Sequence, residues 1–155
     1  MMNILRKSLI TNIVFTTALL TLSVACSDDD DTTESYKEIA PLSVAAEIPA
    51  PAGTTTASGI FAFDLNEKTG VMKYTLTLAD LTGPAAAGHI HQGAVGVAGP
   101  VVSALMVPAT AAPLNGTVTL DAAGLANLKA GLLYVNVHTA MNPAGEIRGQ
   151  LKGSK

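Results

Sequence analysis

From Gly59 onward hydrophobic residues recur at every second position, and that period restricts the fold class more than any other feature of the chain. Gly59, Phe61, Phe63 and Leu65 fall on one face of a run whose other face carries Ser58, Ala62 and Asp64. Met72, Tyr74, Leu76 and Leu78 alternate in the same way with Lys73, Thr75 and Thr77. Successive side chains of a strand point to opposite faces, so both runs are expected to be strands with one buried face. The polar link Asn66 to Gly70 ends in glycine and predicts an antiparallel hairpin between them. With no Trp, three Phe and three Tyr in 155 residues, the core must be mainly aliphatic.

Further strands are expected near 42–48, 87–92, 100–106, 115–120, 132–139 and 145–151. One short helix is expected over 122–129, with Asp121 as its cap and Gly131 as its stop. The Ala85–Ala87 and Ala109–Pro113 stretches lie among Pro84, Pro108 and Pro113 and are assigned to loops. About eight short strands with Gly and Pro punctuation predict an all-β fold, an antiparallel Greek-key β-sandwich or barrel, over residues 41–155.

The amino-terminal part has a different character. Residues 1–25 combine Arg6 and Lys7 with an apolar stretch from Leu9 to Leu22 and small residues before Cys26. That is the pattern of a cleaved export signal and is short for a membrane span. Ser23-Val24-Ala25-Cys26 resembles a lipobox, with Ser23 where Leu is usual, and the resemblance implies that the Cys26 thiol carries a diacylglycerol. Residues 26–40 then serve as a tether opened by Asp28 to Asp31, a like-charged run that stays solvated. The expected location is the outer membrane, facing either the surface or the periplasm, with the lipid on Cys26 as the membrane contact. A single cysteine permits no internal disulfide, so packing alone must hold the domain.

From Leu42 on, six acids (Glu47, Asp64, Glu67, Asp80, Asp121, Glu146) balance six bases (Lys68, Lys73, Lys129, Arg148, Lys152, Lys155). A neutral domain lacks the basic footprint of a nucleic-acid binder. Gly93, Gly96 and Gly99 have no Lys-Ser/Thr ending and no following helix, so they form no phosphate loop. They are expected to permit a tight loop with positive φ. No nucleophile elbow and no reactive cysteine is available, and the chain is expected not to be an enzyme.

Two long segments, Gly88-His89-Ile90-His91-Gln92-Gly93 running on to Val102, and Gly131 to Leu151 with Asn136-Val137-His138-Thr139 and Gly145-Glu146-Ile147-Arg148-Gly149, resemble the CHRD domain, named for chordin. The resemblance spans about Leu42 to Leu151 and implies a secreted β-sandwich with no settled biochemical activity; the chain is expected to act as a binding or structural module of the cell envelope. A weaker likeness is to the copper half of copper-zinc superoxide dismutases. It aligns His89, His91, His138 and, one residue shifted, Arg148. With three histidines in all there is no bridging ligand and no zinc set, so a binuclear dismutase site cannot be assembled.

Strand parity gives the same three histidines a common character. His89 and His91, two apart, share a face opposite Ile90, with Cα atoms about 6.5–7 Å apart. On the later strand Leu133, Val135 and Val137 are the apolar set, which leaves Tyr134, Asn136 and His138 on the polar side. Glu146, Arg148 and Gln150 likewise oppose Ile147, Gly149 and Leu151. Three imidazoles with an open position make a competent mononuclear site for Cu or Zn, with Arg148, Glu146 and Asn136 as supporting residues. Such a centre could carry weak redox activity toward superoxide. The alternative is that each histidine bonds loop carbonyls and holds the glycine-rich segment, with Arg148 paired to Glu146 or to a carbonyl.

Overall fold

The computed structural model describes residues 35–108 and 112–153. The signal segment, Cys26 and the tether as far as residue 34 lie outside the described residues, as do residues 109–111. Eight strands, β1 (Ser35–Ser43), β2 (Ser58–Asn66), β3 (Val71–Ala79), β4 (Ala85–Gln92), β5 (Val101–Leu105), β6 (Leu114–Thr119), β7 (Leu133–Thr139) and β8 (Ile147–Leu151), accompany one helix, α1 (Ala122–Lys129). Every pairing is antiparallel, in the order β5-β4-β7-β8-β1-β2-β3-β6. The all-β expectation therefore holds, as one sheet curled into a nearly closed barrel. Its edges β5 and β6 come together near Tyr74, whose hydroxyl accepts from the Met106 N–H at 2.9 Å.

The period-two faces close the core. Phe61, Met72, Leu76, Ile90, Leu133, Val135, Val137 and Ile147 are fully buried, each large aliphatic contributing roughly 1.5–3 kcal/mol. Phe61 stacks on Tyr74 at 5.1 Å between ring centroids. The β2–β3 hairpin forms as expected, Asn66 pairing with Val71 and Gly70 taking φ 72°. Asp121 caps α1, its Oδ1 accepting from Gly124 N at 2.7 Å, and Gly131 follows the helix at φ 68°.

Two elements differ from the sequence expectation. The first strand, expected near 42–48, occupies Ser35–Ser43 and takes six residues of the expected tether; a 3-10 turn, Val44–Ala46, follows it. Along it Ile39 points outward and is 70% exposed, whereas Glu38 lies on the core-facing parity, so hydropathy hides the period. Glu38 is tolerated there because its carboxylate accepts the Lys152 N–H at 2.9 Å. The second is Ala85–Ala87, which belongs to β4 and not to a loop. Alanine carries no face signal, and pairing with β7 decides the conformation.

Candidate metal centre

The sheet face that turns away from the core on β4, β7 and β8 is polar but not solvated. In register across it, His89 pairs with Asn136 and Asn136 with Arg148, while His91 pairs with Tyr134 and Tyr134 with Gln150. Asn136, Tyr134 and Arg148 are at most 3% exposed, because the segment from Glu47 to Ala57 and the loop from Gly93 to Gly99 fold over them. The first is fastened by the Ala52 N–H to Asn142 Oδ1 at 2.8 Å. The second is fastened by Arg148, whose Nη1 donates to Val97 O at 3.0 Å and Nη2 to Ala94 O at 2.8 Å.

At the margin of this cover the three histidines meet, one ring nitrogen from each lying within 4.8 Å of the others. His89 Nδ1 and His138 Nε2 are 2.9 Å apart. His138 Nδ1 faces Pro143 O at 3.0 Å and His91 Nδ1 faces Gly99 O at 2.9 Å. A carbonyl can only accept, so both Nδ1 atoms carry the proton and both Nε2 atoms present lone pairs. His91 Nε2 is buried without a partner. The His89 Nδ1–H therefore donates to His138 Nε2.

Two of the three imidazoles, His91 and His138, are held in one tautomer by a carbonyl behind the ring, as metal-ligating histidines commonly are; His89, whose Nδ1–H points at His138, ligates through Nδ1 only after its proton moves to Nε2. Nitrogens around one ion at about 2.1 Å stand roughly 3.3–3.6 Å apart. The 2.9 Å pair has to open slightly and the 4.8 Å span to close, both within reach of small ring rotations. Burial lowers the His89 pKa below its ordinary value, with His138 and His91 adding to the effect. Burial lowers that of His138 as well, against the bond to Pro143 O. Both rings are thus neutral and able to ligate at pH 7.

The supporting residues go elsewhere. Arg148 lies under the 93–99 loop with its guanidinium carbon 3.4 Å from the Tyr134 ring centroid. Its bonds to loop carbonyls realise one of the two alternatives read from the sequence. Glu146, fully buried, accepts from Thr139 Oγ1 at 2.6 Å, Thr82 Oγ1 at 2.7 Å, Thr82 N at 2.8 Å and Thr55 Oγ1 at 2.9 Å. Burial alone would raise its pKa, but these donors hold it at about 2. Asn136 stays beside His89 with its Oδ1 unpartnered. Only Gly96 of the three loop glycines has a positive φ, 76°. Gly99 is needed for contact instead: a Cβ there would stand 1.6 Å from Gln92 O.

Sequence reasoning did not find the threonine cage, whose members come from three separate segments. It also missed Glu47, 4% exposed, the pKa of which burial raises against the Ile48 N–H, Asn136 and Arg148. No curated protein and no solved structure matches the chain. The CHRD domain profile, however, matches residues 39–151, from the middle of β1 to the last residue of β8, and the chain belongs to the CHRD-domain family.

Proposed function

We propose that this protein is a lipid-anchored CHRD-domain protein of the cell envelope that binds one transition-metal ion, Cu or Zn, through His89, His91 and His138. The observation that carries the proposal is the convergence of the three imidazoles with two tautomers already set by Pro143 O and Gly99 O. The site is a binder and not an enzyme in this proposal, and Cys26 supplies the anchor in the outer membrane. Nothing in the neutral domain calls for nucleic acid as a partner. Metal analysis and Cu(II) titration of the purified chain test the reading. One equivalent is expected to bind at pH 7.5 and to be released near pH 5, since protonated imidazole cannot ligate. His138→Ala should weaken binding at least tenfold; unchanged binding refutes the site. Cys26→Ala should abolish lipid labelling and leave metal binding intact.

A second reading, a structural or binding module without metal, is favoured by the same carbonyl bonds, because they tie β4 and β7 to the loops that follow. It predicts that His138→Ala loosens the 139–146 hairpin while no metal is retained.

A further inference from the structure

Resting on the metal reading, we infer that Tyr134 and Arg148 are the positioning residues of the metal centre: they clamp the His91 ring so that its Nε2 faces the other two imidazoles. Tyr134 lies between the two strands that flank β7. On the β4 side its ring is stacked on His91, with centroids 4.9 Å apart and planes 9° from parallel. On the β8 side the Arg148 guanidinium lies 3.4 Å from the same ring's centroid. Guanidinium, phenol and imidazole therefore form one continuous stack across three neighbouring strands.

The stack is also pinned to the loop that caps it. The Gly99 N–H donates to the Tyr134 hydroxyl at 3.1 Å, and Gly99 O accepts from His91 Nδ1 at 2.9 Å. Arg148 holds the opposite end of the same loop through Ala94 O and Val97 O. Gln150 locks the base of the loop, its Nε2 donating to Gly93 O at 2.9 Å. A ring confined by a stacked plane on one side and a directional bond at Nδ1 keeps little freedom about χ2. His91 Nε2 is consequently held buried and without a protein partner, a state that a freely turning ring would relieve. His138 is held instead by its Nδ1 bond to Pro143 O, and His89 by the 2.9 Å contact with His138.

This assigns Arg148 a role unlike that of an arginine steering anions into a metal site. It is 2% exposed and three of its five N–H donors go to Val97 O, Ala94 O and Gln150 Oε1. Its plane serves as the back wall of the stack. Lysine cannot replace it, since an ammonium has no plane to lay on the phenol and no fork to span two carbonyls.

Cu(II) electron paramagnetic resonance of the full chain, with affinity measured by competition, tests the clamp. The wild type should show three imidazole nitrogens. Tyr134→Leu and Arg148→Lys should each weaken Cu(II) about tenfold and reduce the signature to two nitrogens, as His91→Ala does. A residue that merely supports the fold would lower the melting temperature and leave three nitrogens. Tyr134→Phe keeps the stack and loses only the hydroxyl, so it should retain three nitrogens even if Tyr134→Leu does not fold. Three nitrogens and unchanged affinity in Arg148→Lys would overturn the proposal, as would a Tyr134→Phe spectrum matching that of His91→Ala. A wild type that binds no copper would instead refute the metal reading on which the clamp rests.

Discussion

Replacing Glu146 by Gln isolates the value of a buried charge whose partners among the described residues are neutral donors. The carboxylate is fully buried and receives one backbone and three hydroxyl donors. Its folded pKa of about 2, against 4.5 for the unfolded chain, corresponds to roughly 3 kcal/mol of stability at neutral pH. The folded value is depressed, so this stability is complete above pH 4.5 and disappears as pH falls toward 2. At pH 3 about 1.4 kcal/mol of it should remain. In Glu146→Gln the new amide can turn its NH2 toward the hydroxyls of Thr82 and Thr139, which rotate to accept, while its carbonyl keeps Thr82 N and Thr55. Satisfaction is preserved, but charge-assisted bonds of about 1.5–3 kcal/mol become neutral ones of about 0.5–1.5 kcal/mol. Urea unfolding of both proteins from pH 7 to pH 3 is the assay. The wild type should exceed the variant by about 3 kcal/mol at pH 7, and the gap should shrink by about 2 kcal/mol at pH 3. A gap that does not vary with pH refutes the reasoning, because the carboxylate would then not be ionised in the folded state.

Truncation tests the reassigned first strand: a chain starting at Ser35 should fold, whereas one starting at Pro41 loses six of the nine β1–β2 pairs and the Glu38–Lys152 bond. At roughly 0.5–1.5 kcal/mol for each lost hydrogen bond the shorter chain should be destabilised by about 3 kcal/mol or more in thermal melts followed by circular dichroism, and equal melting would contradict the central place of β1. Gly99→Ala would set a Cβ 1.6 Å from Gln92 O. It should cost about 1–3 kcal/mol and weaken Cu(II) binding through Gly99 O and His91. Gly96→Ala, at φ 76° where a Cβ would meet only Ile48 Cδ1 at 3.9 Å, should cost about 1 kcal/mol and leave binding unchanged, so equal copper affinities in the two variants would rule out the loop's part in the site.

What could be read from the sequence was whatever a single strand states about itself. The alternation in β2 and β3, the cap at Asp121 and the shared parity of His89, His91 and His138 are local, and the strands form where they predict. β1 is hidden from such a reading because an outward Ile39 and an inward Glu38 invert its hydropathy, and the reason, the Lys152 N–H, lies more than a hundred residues away. Parity placed Arg148 on the polar face but could not show that face to be covered. Burial there depends on the 93–99 loop, whose carbonyls replace solvent for the guanidinium. The cage around Glu146 was beyond reach for the same reason, since threonine hydroxyls carry no signal until three segments meet.

β1 also has a mechanical consequence. It sits in the interior of the sheet, held by nine pairs to β2 on one flank and touching β8 on the other through Ser43 and Arg148. Its first residue, Ser35, lies at the end where β2 turns into β3, while the 139–146 hairpin projects from the opposite end, beyond Ser43. A pull that enters by the segment before Ser35 and is resisted at that hairpin runs along the strands. The nine β1–β2 pairs then share the load in shear and must fail together, whereas a hairpin peeled from one tip surrenders its bonds singly. The barrel is therefore expected to resist tugging from its amino end far better than its modest size and disulfide-free core would suggest.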